Sequence, residues 1–156
     1  WYENGQTAVQ GMLKNDKYEG ILQKWYENGN MKAYTSVRDG IKEGEVKEWY
    51  ENGKLKIHHF RQCKKVARFR KEYFENGNLK SCLFLEDSTD DLYNQEMIKE
   101  GNIKTIDGKQ CLKETHYHEN GTRKLEKFCC NGKPYGTAKQ WNEDGQITAC
   151  VEVKNG

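Results

Sequence analysis

The five residues Trp1-Tyr2-Glu3-Asn4-Gly5 return as Trp25-Tyr26-Glu27-Asn28-Gly29 and as Trp49-Tyr50-Glu51-Asn52-Gly53, then as Tyr73-Phe74-Glu75-Asn76-Gly77. Weaker copies stand at Met97-Ile98-Lys99-Glu100-Gly101, Tyr117-His118-Glu119-Asn120-Gly121 and Trp141-Asn142-Glu143-Asp144-Gly145. The starts at 1, 25, 49, 73, 97, 117 and 141 are 24 residues apart five times and 20 apart once. A chain with this period cannot assemble one closed core from unlike parts. Each copy folds alike and buries what it can against its neighbours, which describes a repeat array.

The unit reads as a β-hairpin. Asn-Gly between two half-apolar runs is the strongest short hairpin signal, since both residues of a two-residue turn take positive φ. On that reading Trp25 faces Lys32, Trp49 faces Lys56, Tyr73 faces Lys80, Tyr117 faces Lys124 and Trp141 faces Thr148. Further turns are expected at Asp39-Gly40, Asn131-Gly132 and Asp16-Lys17, with Gly20, Gly44 and Gly136 opening the next strands. The whole chain, 1–156, is then a single all-β domain: an elongated antiparallel meander of about seven tandem hairpins, with thirteen or so strands. It is expected to be irregular near residues 86–104. There, a polar excursion over 86–96 with possible helical character precedes the shortened copy.

Alternation sorts the side chains into two faces. Leu22, Tyr26, Met31, Ala33 and Val37 fall on one, followed by Val46, Tyr50, Leu55 and Ile57, then Phe74, Leu79, Leu83 and Leu85, and at the end Ile147, Ala149, Val151 and Val153. This is the face assigned to burial. Composition fits a thin structure: Leu, Ile, Val and Phe make up 27 of 156 residues, fewer than a compact core uses. Disorder is excluded by a net charge of only +2 and 12% aromatic residues. The interspersed charges argue against a nucleic-acid binder, and no apolar run is long enough for a membrane-spanning helix.

The pattern Gly-x-x-x-x-Trp-Tyr-Glu-Asn-Gly-x-Leu-Lys, seen from Gly44 to Lys56 and closely from Gly20 to Lys32, resembles the MORN repeat variant (membrane occupation and recognition nexus). The variant typical of bacterial YwqK-family antitoxins is the nearest likeness. The resemblance implies a MORN-type solenoid, a non-enzymatic role and a protein partner, which in antitoxins is a toxin to be neutralised. It supplies no catalytic or ligand residues.

The opposite face is the candidate partner-binding surface. It carries Trp25, Lys32 and Tyr34, then Trp49, Lys56 and Phe60, then Tyr73, Lys80 and Phe84, with Tyr117, Lys124 and Trp141 further on. A lysine stem over an aromatic ring stabilises paired strands, and exposed aromatics with flanking charge also suit interface hot spots. No cofactor or metal is expected: His58-His59 and His116-x-His118 have no carboxylate or thiol tied to them by the pattern. Catalysis is not expected either, since Ser36, Ser81 and Ser88 lie in no nucleophile motif. The six cysteines show no CxxC pair, and the hairpin register sets Cys82 opposite Lys71 and Cys150 opposite Lys139. Mostly free thiols are therefore expected.

The expected function is capture of a protein partner, a toxin first and a host or surface protein second. An exported or surface-associated adhesion scaffold is the alternative, with phospholipid binding a lesser one. Free thiols favour the cytoplasm. Secretion stays open because Trp1 already lies inside a motif, so the natural N-terminus is not seen. Outer strands at both ends leave weak self-association open.

Overall fold

A computed structural model describes residues 1–61, 69–84 and 99–154. Strands β1 (Val9–Lys14), β2 (Lys17–Trp25), β3 (Met31–Arg38) and β4 (Ile41–Trp49) follow one another along the chain. They continue into β5 (Leu55–Arg61), β6 (Phe69–Tyr73) and β7 (Leu79–Phe84). After the excursion come β8 (Ile103–Ile106), β9 (Lys109–Tyr117), β10 (Arg123–Cys130), β11 (Lys133–Trp141) and β12 (Ile147–Val153). All twelve belong to one antiparallel sheet in the order β1-β2-β3-β4-β5-β6-β7-β9-β10-β11-β12, with β8 paired to β9 off this path.

The turns are of two kinds, and this corrects the expected geometry. At Asn15-Asp16, Asp39-Gly40, Asp107-Gly108 and Asn131-Gly132 both residues have positive φ, as a two-residue hairpin turn requires. The first of these lies one residue before the expected Asp16-Lys17. In the Glu-Asn-Gly loops only the glycine is positive, as at Gly29 (φ 87°). There Tyr26 N–H donates to the Asn30 carbonyl (2.8 Å) and Gly29 N–H to the Tyr26 carbonyl (3.0 Å), so the loop holds three residues, not two. The extra loop residue shifts the pairing, and a bulge restores it: Trp25 opposes Met31, but Lys24 opposes Ala33, leaving Lys32 out of the ladder. Trp49 likewise opposes Leu55, Tyr73 opposes Leu79, Tyr117 opposes Arg123 and Trp141 opposes Ile147. Beyond each bulge the expected register resumes, with Lys71 opposite Cys82 and Lys139 opposite Cys150.

Residues 99–101, the described part of the copy at 97–101, do not join the row of loops. β7 pairs directly with β9, Ser81 facing His116 and Leu83 facing Glu114, so the loop at 117–121 follows the loop at 73–77 in space. Among the described residues six loops are in the row instead of the expected seven. The irregularity expected near 86–104 is present in its described part: β8 occupies the same side of β9 as β7 but pairs farther along, Ile103 with Leu112. The excursion over 86–96, like Leu85, lies outside the described residues.

Burial is sparse and central. Among the described residues Val37, Val46, Cys82, Ile103, Cys111 and Cys130 are the buried apolar ones, with Thr35, Ser81 and Thr115. Val37 and Val46 lie on the face assigned to burial. Cys82 and Thr115 pair with each other on the opposite face, so both faces contribute. At the ends the assignment fails: Ile147 and Val151 on β12 are 59% and 56% exposed, and all of β1 is exposed. An outer strand has a neighbour on one side only and nothing to be buried against.

Candidate functional site

The loop motif turns out to be a connector between repeats. Tyr2 Oη donates to the Trp25 carbonyl (2.6 Å), Tyr26 Oη to that of Trp49 (2.8 Å) and Tyr50 Oη to that of Tyr73 (2.8 Å). The loop asparagine works in two directions. Asn28 Oδ1 accepts from Asn30 N–H (2.9 Å) and shapes its own loop, while Nδ2 donates to the Glu51 carbonyl of the next loop (3.0 Å). The same pair of bonds recurs at Asn4, Asn52, Asn76 and Asn120. Asn76 reaches Glu119, 43 residues on, which identifies the spatial neighbour across the excursion. In the last loop Asn142 stands in the tyrosine position and bonds within its own loop, to Gln146.

Burial raises the Tyr26 and Tyr50 phenols above their ordinary values, with carboxylates nearby adding to the effect, Glu51 and Glu48 for Tyr26 and Glu75 and Glu72 for Tyr50. Both stay protonated and able to donate.

The lysines lie over different rings from those expected. Lys32 Nζ sits 5.1 Å from the centre of the Tyr26 ring, Lys56 Nζ 5.4 Å from Tyr50 and Lys80 Nζ 5.9 Å from Phe74. The expected partners were Trp25, Trp49 and Tyr73; the bulge moves each lysine to the second aromatic of its loop. Arg123 lies over the aromatic of the last unit, 5.3 Å from the Trp141 ring.

Among the twelve candidate residues, Lys80, Tyr117, Lys124 and Trp141 come together in one open groove of about 400 Å³, with Phe74, His116 and His118. Trp25 lines a separate groove of about 370 Å³ beside Gly5 and Gly29. Trp49, Lys56 and Tyr73 continue the row between these two. Tyr34 lies within β3, facing Gln23 and Lys47. Phe60 and Phe84 both oppose Phe69, forming an aromatic column across β5, β6 and β7. Phe69 lies between them and was missed because the equivalent positions Ile21, Glu45, Lys113 and Thr137 hold no aromatic.

The histidines go to separate uses. His58 Nε2 is 3.0 Å from Glu45 Oε1, and Glu45 is held below its ordinary value by the hydrogen bond from Lys47 foremost. His116 Nε2 lies 2.5 Å from Glu114 Oε1, with Lys127 3.1 Å from the other oxygen. Burial alone would raise the Glu114 carboxyl, but the bonds from His116 and Lys127 bring it below its ordinary value. His118 takes the tyrosine's place, donating from Nε2 to the Trp141 carbonyl (2.9 Å).

The thiol expectation is corrected at one pair. Cys111 and Cys130 form a disulfide, their Cα atoms 4.2 Å apart on neighbouring strands. The register Leu112–Cys129 puts them directly opposite, so the hairpin register that set Cys82 opposite Lys71 and Cys150 opposite Lys139 would have found them. Cys82, Cys129 and Cys150 are free. Burial foremost pushes the Cys82 and Cys129 thiols up, the Glu114 carboxylate assisting at Cys129, which is the reverse of an activated nucleophile.

The MORN repeat variant family matches residues 18–39, 42–61 and 70–87. These are MORN-variant repeats. Each matched stretch is centred on one three-residue loop and its two strands, so the MORN-variant unit is the hairpin described above. Repeats of this type are non-enzymatic and commonly bind proteins or lipids. Comparison with curated proteins returned no match.

Proposed function

We propose that this chain is a binding ladder that captures a protein partner on its aromatic and lysine-bearing loop row, and that it acts by covering the partner's working surface. The supporting observation is the stitching. Six loops tied edge to edge by side-chain bonds hold Trp25, Trp49, Tyr73, Tyr117 and Trp141 at regular intervals, and aromatics held in place lose little entropy on binding. A toxin neutralised by occlusion needs nothing more from its antitoxin. The test is a photo-cross-linking residue placed at Trp49 or, as control, at Met12 on β1, in the native cell. One recurrent protein linked through position 49 and not 12 supports the reading, and growth arrest by that protein alone, relieved when this chain is co-expressed, makes it a toxin. Equal labelling from both positions refutes it.

The Cys111–Cys130 disulfide favours the second reading, an exported or surface-associated scaffold, because such bonds persist in oxidising compartments. Thiol alkylation on isolation from the native source decides it: protected cysteines support export, and reactive ones support the cytoplasm.

A further inference from the structure

This inference rests on the reading that the loop row meets a protein. After each loop the register skips one residue, and in four successive units that residue is lysine: Lys32, Lys56, Lys80 and Lys124. All four are exposed. Among the described residues none of them makes an ion pair, whereas Lys47, Lys113, Lys127, Arg38 and Arg70 each meet a carboxylate. Three are steadied over the ring of their own loop. The row is bounded, since Ala8 and Thr148 hold the equivalent positions in the first and last units.

The spacing selects an occupant. The lysines leave from β3, β5, β7 and β10, each two strands from the next. At roughly 4.8 Å per strand they are about 10 Å apart and span about 29 Å. A polyproline-II chain turns once every three residues and rises about 3.1 Å per residue, so every third side chain faces the same way at about 9.3 Å intervals. A bound β-strand repeats its face every two residues, about 6.6 Å, and falls out of step at once. A flat bilayer fits poorly too. Ordinary sheet twist of about 20° per strand turns the last lysine on the order of 120° from the first, so one plane cannot meet all four. A flexible chain can follow that turn.

We propose that this row docks an extended, polyproline-II-like segment of the protein partner, with Asp or Glu at every third position over about ten residues. The loop carboxylates Glu27, Glu51, Glu75 and Glu119 run alongside, so the flank of the segment turned toward them carries neutral or basic residues.

The test is fluorescence anisotropy with the whole chain and two labelled peptides of one composition, glutamate, proline and alanine. One has its four glutamates at every third position, and the other has them contiguous. The expected result is about tenfold tighter binding of the spaced peptide, weakening as NaCl rises to about 0.5 M. Lys56→Gln and Lys80→Gln each cost about two- to fivefold, with melting unchanged. Equal affinity for both peptides, indifference to the two substitutions, or binding to phosphatidylserine vesicles with no peptide preference would each overturn the proposal. If cross-linking at Trp49 still captures one partner while the peptides bind alike, only this inference falls.

Discussion

The two long edges of the sheet are built from similar residues and behave differently. On one edge lie the Trp-Tyr-Glu-Asn-Gly loops, each bonded to the next by an asparagine and most by a tyrosine or histidine. On the other lie the two-residue turns Asn15-Asp16, Asp39-Gly40, Asp107-Gly108 and Asn131-Gly132. Their cross-repeat bonds follow no common pattern: Gly40 N–H donates to the Tyr18 carbonyl (3.0 Å), and Tyr135 Oη to Asp107 Oδ2 (2.7 Å). A three-residue loop leaves its asparagine side chain free to reach sideways. A two-residue turn is satisfied by its own backbone. One edge therefore carries cooperativity between repeats, while the other closes each repeat on itself and, in the C-terminal half, is braced by the Cys111–Cys130 bond.

The comparison can be broken by removing what holds each edge. Cys111→Ser with Cys130→Ser removes the brace that spans 19 residues, with an expected loss of about 3 kcal/mol in urea unfolding. A loss under about 0.5 kcal/mol would mean that the plain edge needs no cross-link. Asn52→Ala deletes both of its bonds, for an expected cost of about 2 kcal/mol, whereas Asp39→Ala at a positive-φ turn should cost about 1 kcal/mol. Equal costs would erase the distinction between the edges. Tyr50→Phe loses one bond, about 1 kcal/mol. Conversely, Phe74→Tyr should gain a similar amount, because Phe74 holds the tyrosine position in its loop and the hydroxyl would reach the Tyr117 carbonyl; thermal melts reading a loss there would refute the stitch rule.

The smallest effect concerns alkaline pH. Burial raises the Tyr26 and Tyr50 phenols above the ordinary phenol value of about 10 in the folded state, so their contribution is fully present below that value. It fades as pH rises through the raised folded value. The stability difference between the chain and its Tyr50→Phe variant should therefore shrink only above about pH 10, and a difference already lost at pH 9 would exclude the phenol as donor.

Much of this fold is legible in the residues. Among the described residues Asn-Gly and Asp-Gly mark every hairpin end except Asn15-Asp16, because the backbone there needs glycine's freedom, and the strand registers follow once the ends are known. The loop length was not legible: Glu-Asn-Gly as a three-residue loop and Asn-Gly as a two-residue turn contain the same dipeptide, and only the bulge at Lys32 tells them apart. That single residue moved Lys32, Lys56 and Lys80 from the first aromatic of their loops to the second. The face was legible as a stripe, but Phe69 and the groove around His116 were not, since they depend on which strands become neighbours.

The repeated motif by itself determined that the chain forms antiparallel hairpins, each closed by a Trp-Tyr-Glu-Asn-Gly-type loop, because those contacts are local and each unit carries its own instructions. Tertiary structure alone decided that β9 follows β7 and that the loop at 117–121 stands next to the loop at 73–77. The physical reason is that a loop's sideways donors are indifferent to chain distance. Asn76 bonds to whichever carbonyl completes the row, and that carbonyl belongs to Glu119.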